Sequence, residues 1–273
     1  MISTMSKEDI VTSFQTFLDY QNAANWDDIQ KCIQSSVHLE NSLVQRDAFI
    51  AQLRLGVERR QKQSELANYV VDVGSQAIAA EVINRENGRD HQGTAEKTLE
   101  YREIAFASFA DGRLSKFKSL GDSHAQPPES TLRQITPESQ TLASLDLKAH
   151  YHDYISTINA GTMGLHHEKF LQSTMKHNNR AGEVSDFMNW MSNTRQAIQS
   201  LHYDIKDLLV DAQCGQIAAC VEITGLPIER WLGMEPNGKS IRFQEHAMYW
   251  LDKGRIKSLL TVLDLDSVRN QLA

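Results

Sequence analysis

Two polar residues near the end of the chain, Asp264 and His246, could carry out proton transfer. A carboxylate can abstract a proton from a carbon that lies between two carbonyl groups, and burial would raise its pKa toward working pH. His246 or the guanidinium of Arg242 could then stabilise the enolate that forms. We therefore predict Asp264 as the catalytic base and His246 as its partner. The simpler alternative is that Asp264 only forms an ion pair with Arg242 at a strand end.

A predicted β-hairpin brings these side chains to one face. A three-residue loop ending in Gly254, with that glycine in the left-handed region, would pair Leu251 with Arg255 and set Asp264 opposite Arg242. Alternation along the two strands then gives a mixed face of the kind that lines a ligand pocket. The predicted substrate-binding residues of this face and its mouth are Arg242, Gln244, Met248, Trp250, Trp231 and His177.

The same hairpin has a second, apolar face, and the register decides between the two. Its residues are Ile241, Phe243, Ala247 and Tyr249, which we predict to be buried where two domains meet. A change of one residue in loop length would place Glu245, rather than His246, beside Asp264.

The chain divides near its middle. Residues 123–146 contain three of the five prolines among Ser, Thr and Gln, which is the composition of a linker. The predicted domains are residues 1–122 and 147–273. Their sequences repeat weakly, because Ile78–Ala80 and Val82 match Ile217–Ala219 and Val221 at a shift of 139 residues.

Each half begins with helical spacing and ends with strands. Ser6 followed by Asp9 indicates a helix start, and about three helices precede a run of short apolar strands in both halves. The predicted fold is α+β, with two tandem cone-shaped domains, each with about three helices on a strongly curved antiparallel sheet. A small-molecule pocket would lie between helices and sheet.

The first half offers a second candidate site, Asp122 with Arg102. It keeps the strand-end aspartate, but Ile104 stands where the second half has His246. We therefore leave open whether this half is a second site or a degenerate scaffold, and favour the scaffold.

The end of the chain resembles the SnoaL-like polyketide cyclases, or ester cyclases, of the nuclear transport factor two superfold. The residues that carry the resemblance are Pro236, Gly238, Lys239, the run Lys253–Ile256, Asp264, Gln271 and Leu272. Residues 159–161, Asn-Ala-Gly, are similar to the turn after the first helix of that family. The resemblance implies a cone fold and small-molecule cyclisation or isomerisation, although the superfold also hosts non-catalytic binders.

Composition narrows the function further. The net charge of −7 disfavours nucleic-acid binding, and no apolar stretch approaches the length of a membrane span. Three scattered cysteines and a polar N-terminus favour a reducing, cytoplasmic location without a signal peptide. No zinc, dinucleotide or Walker pattern is present, so we predict no metal and no cofactor.

These observations predict a cofactor-free cyclase or isomerase acting on a polyketide- or terpenoid-derived intermediate of secondary metabolism. The alternative is a non-catalytic binding or assembly protein of the same superfold. Because single-domain members of the superfold commonly dimerise through their sheets, the two halves are expected to form an internal pseudo-dimer, and the chain could be a monomer.

Overall fold

The computed structural model describes residues 4–40, 42–89, 96–121 and 146–273. The chain divides into two compact units, Met1–Ile135 and Thr136–Ala273, called here the first and second domains. The predicted linker lies outside the described residues apart from Asp146, and so does Asp122. Among the described residues, no helix is long and apolar enough to cross a membrane.

The first domain begins with helices and ends with four consecutive strands. Its elements in chain order are α1 (Lys7–Asn22), α2 (Trp26–Ile29), a 3-10 helix (Gln30–Cys32), β1 (Ile33–Leu39), β2 (Ser42–Gln45), α3 (Arg46–Arg60), β3 (Gln63–Asp72), β4 (Ala77–Arg89), β5 (Glu96–Ala110) and β6 (Arg113–Gly121). The predicted start of α1 is confirmed, because Ser6 and Asp9 exchange side-chain to backbone hydrogen bonds across the first turn.

The second domain repeats this order and adds a C-terminal helix. Its elements are α4 (Leu147–Ala160), α5 (Met163–Phe170), β7 (Leu171–His177), β8 (Arg180–Glu183), α6 (Val184–Ala197), β9 (Ile198–Asp211), β10 (Gln216–Pro227), β11 (Ile241–Asp252), β12 (Arg255–Leu263) and α7 (Leu265–Leu272). The predicted α+β architecture of two domains is therefore confirmed.

Each domain holds one six-stranded sheet, in the order β2-β1-β6-β5-β4-β3 or β8-β7-β12-β11-β10-β9. The predicted all-antiparallel pairing is wrong at one place in each sheet, where β1 runs parallel to β6 and β7 parallel to β12. The sequence predicts a helix from Leu165 to Met175, but α5 ends at Phe170 and β7 follows directly. Leu171 and Met175 have a spacing that suits helix or strand, and pairing with β12 decides the outcome.

Two asparagines make the same connection in both domains, which supports the internal repeat. The side chain of Asn22 accepts from the backbone N–H of Ser64 at 2.8 Å and donates to its carbonyl at 2.8 Å. Asn159 does the same with Tyr203, at 2.8 and 2.9 Å. Each asparagine thus ties the end of the first helix to an edge strand of its sheet.

Replacing Asn159 or Asn22 with Ala should lower the stability of the domain that contains it. Both changes leave a partly buried N–H and carbonyl without their partner, which costs about 1–3 kcal/mol. Urea unfolding of each variant measures the loss. Asn237→Ala is the control, since this asparagine also bonds to two backbone groups, the Gln271 carbonyl and the Lys239 N–H, but both bonds are exposed to solvent. Equal stability of all three variants would contradict this role.

Candidate functional site

The turn between β11 and β12 is one residue shorter than predicted. Lys253 and Gly254 form it, with φ angles of 51° and 77°, and Asp252 pairs with Arg255. Two successive positive φ values define a tight hairpin turn, which a lysine next to glycine can adopt. The pairing then shifts between Trp250 and Leu251. The predicted three-residue loop and its pairing of Leu251 with Arg255 are therefore wrong.

The helices pack on the face of this hairpin that was predicted to be the outer one. Ile241, Phe243, Ala247 and Tyr249 belong to the apolar core between the sheet and its helices. The Tyr249 hydroxyl lies 3.2 Å from that of Tyr151 in α4, which fixes the direction of this face. Both faces of β11 are largely apolar and buried, so alternation alone could not distinguish them.

A pocket lies between this face, α4 and α6. Its empty space is about 460 Å³ only when the open mouth and the gaps between side chains are counted, and the cavity proper is about 30 Å³. Six aromatic side chains dominate its wall: Tyr151, Tyr154, Tyr203, Tyr249, Phe187 and Trp190. The polar remainder consists of Glu245, His177 and Thr261, and the other lining residues are aliphatic or Met.

Glu245 is the carboxylate of this pocket. No described residue donates a hydrogen bond to its side chain or forms an ion pair with it. Burial among aromatic rings penalises the charged form and raises the pKa of Glu245 to about 7. The side chain can therefore exist as acid or base near neutral pH, as proton transfer requires.

The tyrosines around Glu245 remain protonated. Burial, together with the negative charge of Glu245, raises the pKa of Tyr154 and of Tyr203. Tyr151 and Tyr249 share a hydrogen bond, and burial keeps the pKa of both well above its ordinary value. The Tyr154 hydroxyl has no hydrogen-bond partner among the described residues. It can therefore donate a hydrogen bond to a ligand.

His177 and two aromatic rings from α6 complete the wall. The His177 Nε2 atom lies 3.1 Å from the Thr261 hydroxyl, while its ring packs edge-on against Phe187 and Trp190 at 5.7 and 6.0 Å. His177 therefore lines this pocket, and its predicted role in substrate binding stays a prediction. His177 and Leu39 occupy equivalent positions in the two domains. His177 pairs with Leu259 in the second sheet, and Leu39 pairs with Phe117 in the first.

The other predicted site residues do not line this pocket. Asp264 caps α7, where its side chain accepts from the Ser267 N–H at 3.0 Å. Arg242 is exposed and lies 3.8 Å from Glu222, so the predicted pair with Asp264 does not form. Trp231 is buried against Phe243, and its indole N–H donates to the Thr194 hydroxyl.

The remaining predicted residues lie on the opposite face of the sheet. His246, Met248 and Trp250 are all buried there, and His246 pairs with Cys220 and Val262 in the ladder. Gln244, which is also an even-numbered residue of β11, lies on the same face, and its side-chain oxygen is 3.8 Å from the Cys220 thiol. The expectation that these four residues line the helix-side pocket is wrong, because helices cover the face of odd-numbered residues.

In the first domain the equivalent carboxylate, Glu103, forms an ion pair with a lysine of the same domain. Glu103 pairs with Val82 as Glu245 pairs with Val221, and its carboxylate lies 3.0 Å from the Lys62 ammonium. Burial alone would raise the pKa of Glu103. The charge of Lys62 and hydrogen bonds from Lys62, Ser119 and Asn84 outweigh burial and lower it.

Phenylalanine rings also pack together inside the first domain. Phe17, Phe49 and Phe117 meet at ring-centroid distances of 5.6–6.4 Å and are buried with Phe14 in the core. Arg102, predicted as part of a second site, is buried and forms an ion pair with Glu81 at 2.6 Å. Its predicted partner, Asp122, lies outside the described residues.

The second domain is similar in sequence to a known family. Residues 151–272 match the family model of the SnoaL-like polyketide cyclases. A SnoaL-like polyketide cyclase from Agrobacterium tumefaciens is 22% identical over 47% of this chain and 99% of its own, with a TM-score of 0.44. TsrD from Streptomyces laurentii is 17% identical over 49% of this chain and 98% of its own, again with a TM-score of 0.44. No curated protein sequence matches the chain.

Proposed function

We propose that the protein is a cofactor-independent cyclase or isomerase with Glu245 as its base, since residues 151–272 match the family model of the SnoaL-like polyketide cyclases. The substrate would be a polyketide- or terpenoid-derived intermediate with an acidic C–H between two carbonyl groups. The observation that carries this proposal is an unpaired carboxylate with a pKa of about 7 inside an aromatic pocket.

The reaction follows from the groups around the carboxylate. Glu245 takes the proton from carbon, and the electron pair moves to the adjacent carbonyl oxygen as an enolate. The Tyr154 hydroxyl donates a hydrogen bond to that oxygen, which stabilises the developing charge. The enolate carbon then attacks a second carbonyl of the folded chain. The alkoxide formed at that carbonyl recovers the proton from Glu245, so the closed ring has the same atoms as the substrate.

The experiment that tests this function compares cells with and without the protein. We expect deletion to make one uncyclised intermediate accumulate, and the purified protein to convert that intermediate without any added cofactor. If the purified protein binds the intermediate and leaves it unchanged, the protein is a non-catalytic carrier or assembly partner instead.

The roles predicted for Asp264 and His246 are a competing proposal for the same reaction. Asp264→Asn keeps an oxygen that can cap α7, so it should change neither stability nor turnover by much if Glu245 is the base. Asp264→Ala removes the cap and should cost about 1 kcal/mol of stability. Rates and thermal melts of both variants separate the proposals. If Asp264→Asn folds normally but its turnover falls by about 10²-fold or more, Asp264 and not Glu245 is the base.

A further inference from the structure

We propose that the pocket of the second domain takes ligands that carry a cationic nitrogen, seated between Glu245 and the tyrosine rings. This inference rests on the proposed function in one respect, namely that this pocket is where the substrate binds. It adds the class of substrate: an intermediate with an ammonium or iminium group next to its reacting carbon.

The charge of the pocket selects against anions. Glu245 supplies a carboxylate, and no lysine or arginine is among the described residues that line the cavity. A carboxylate or phosphate on the ligand would therefore be repelled by Glu245 and would find no lysine or arginine among the lining residues. An ammonium would instead supply the partner that Glu245 lacks. It would also favour the ionised form of Glu245.

The rings provide the second element of cation recognition. The faces of aromatic side chains are negative, and several tyrosines or tryptophans around one space form the cage that recognises quaternary ammonium groups. In this pocket Tyr151, Tyr154 and Tyr249 have ring centroids 5.3–6.2 Å apart, and Tyr203 and Trp190 contribute further wall. These three rings contact one another and form a continuous aromatic wall on the side of the pocket that holds the carboxylate.

The first domain already contains an ammonium at the corresponding position. The Lys62 Nζ atom lies 3.0 Å from Glu103, the counterpart of Glu245, and 6.0 Å from the centre of the Tyr101 ring. In the second domain, 139 residues further along, Leu201 and Ile223 replace Lys62 and its hydrogen-bonding neighbour Asn84. The second domain therefore keeps the carboxylate and the aromatic wall while lacking the internal cation. A cationic ligand would occupy the place that Lys62 fills in the first domain.

The test uses choline and its neutral isostere 3,3-dimethylbutan-1-ol as probes, titrated calorimetrically into the full chain at pH 8. Choline should bind about tenfold more tightly than the alcohol, the scale expected of a desolvated cation–π site with a carboxylate. Glu245→Gln should remove most of that preference. Glu229→Gln, which makes the same charge change on an exposed residue outside the pocket, should preserve it.

A second variant imitates the first domain. Leu201→Lys would place an ammonium beside Glu245 and should abolish choline binding while thermal melts show a folded protein. Equal affinity for the two probes, or choline binding that survives both Glu245→Gln and Leu201→Lys, would overturn the inference. If the protein converts an intermediate but does not prefer choline over the alcohol, only this inference is wrong. If it prefers choline but converts no intermediate, only the proposed function is wrong.

Discussion

Glu245→Gln should lower turnover by about 10²–10⁴-fold, the usual contribution of a positioned acid–base group. The change keeps the size of the side chain and removes only its ability to accept and return a proton. Substrate that lacks a charged nitrogen should bind nearly as well as before, because rings provide most of the pocket wall. Rates on the accumulated intermediate, measured with the product profile of cells that carry the variant, test the expectation.

The same variant should be more stable than the natural protein at pH 8. Folding raises the pKa of Glu245 from 4.5 to about 7, so the folded state binds the proton more tightly than the unfolded state does. Its stability therefore falls as pH rises from about 4.5 to 7 and levels off above that range. A difference of about 2.5 pKa units corresponds to roughly 3 kcal/mol. The amide side chain of the variant cannot ionise, so the variant should escape this loss.

Unfolding curves of both proteins at pH 5 and pH 8 measure this effect. The gain from Glu245→Gln should be larger at pH 8 than at pH 5. A stability difference that does not change with pH would mean that Glu245 titrates near its ordinary value, and an unchanged turnover would remove it from the chemistry altogether.

The sequence was informative about architecture because helix and strand periodicities and the repeat all concern long segments. Ser6 with Asp9 marked a helix start correctly, and the match of Ile78–Ala80 with Ile217–Ala219 agrees with the strand pairing. Such features depend on many residues at once. An error at one position leaves the predicted architecture unchanged.

The site depended on a single turn and a single choice of face, and there the prediction failed. Lys253 adopts a positive φ that sequence alone assigned to Gly254 only. Polar residues then favoured the face of His246 over that of Glu245, although helices cover the latter. The repeat contained a signal that the choice of face did not use. Glu103 and Glu245 are matched across the two halves, and Lys62 near one of them has Leu201 as its counterpart.

Mutation of the Lys62–Glu103 pair should lower the stability of the protein, whereas Glu245→Gln should raise it. Lys62→Leu would leave Glu103 buried without its cation, and removing one partner of a buried pair costs about 3–5 kcal/mol. The exposed pair of Lys31 with Asp28 provides the control, since Lys31→Gln should cost less than about 1 kcal/mol. Urea unfolding at pH 8 compares the two variants.

The pH dependence of this loss distinguishes it from a packing defect. In the natural protein the lowered pKa of Glu103 contributes stability that is present above its ordinary value of 4.5 and disappears as pH falls below it. In Lys62→Leu, burial would raise the pKa of Glu103, so the variant should lose stability as pH rises through 4.5. The difference between the two proteins should therefore grow from pH 4 to pH 8. The double variant Lys62→Leu/Glu103→Gln should recover most of the loss, because the uncompensated charge is gone. A loss that is independent of pH, or a double variant no more stable than Lys62→Leu, would show that Lys62 acts through the packing of its alkyl chain and that the first domain does not neutralise its carboxylate in the way described.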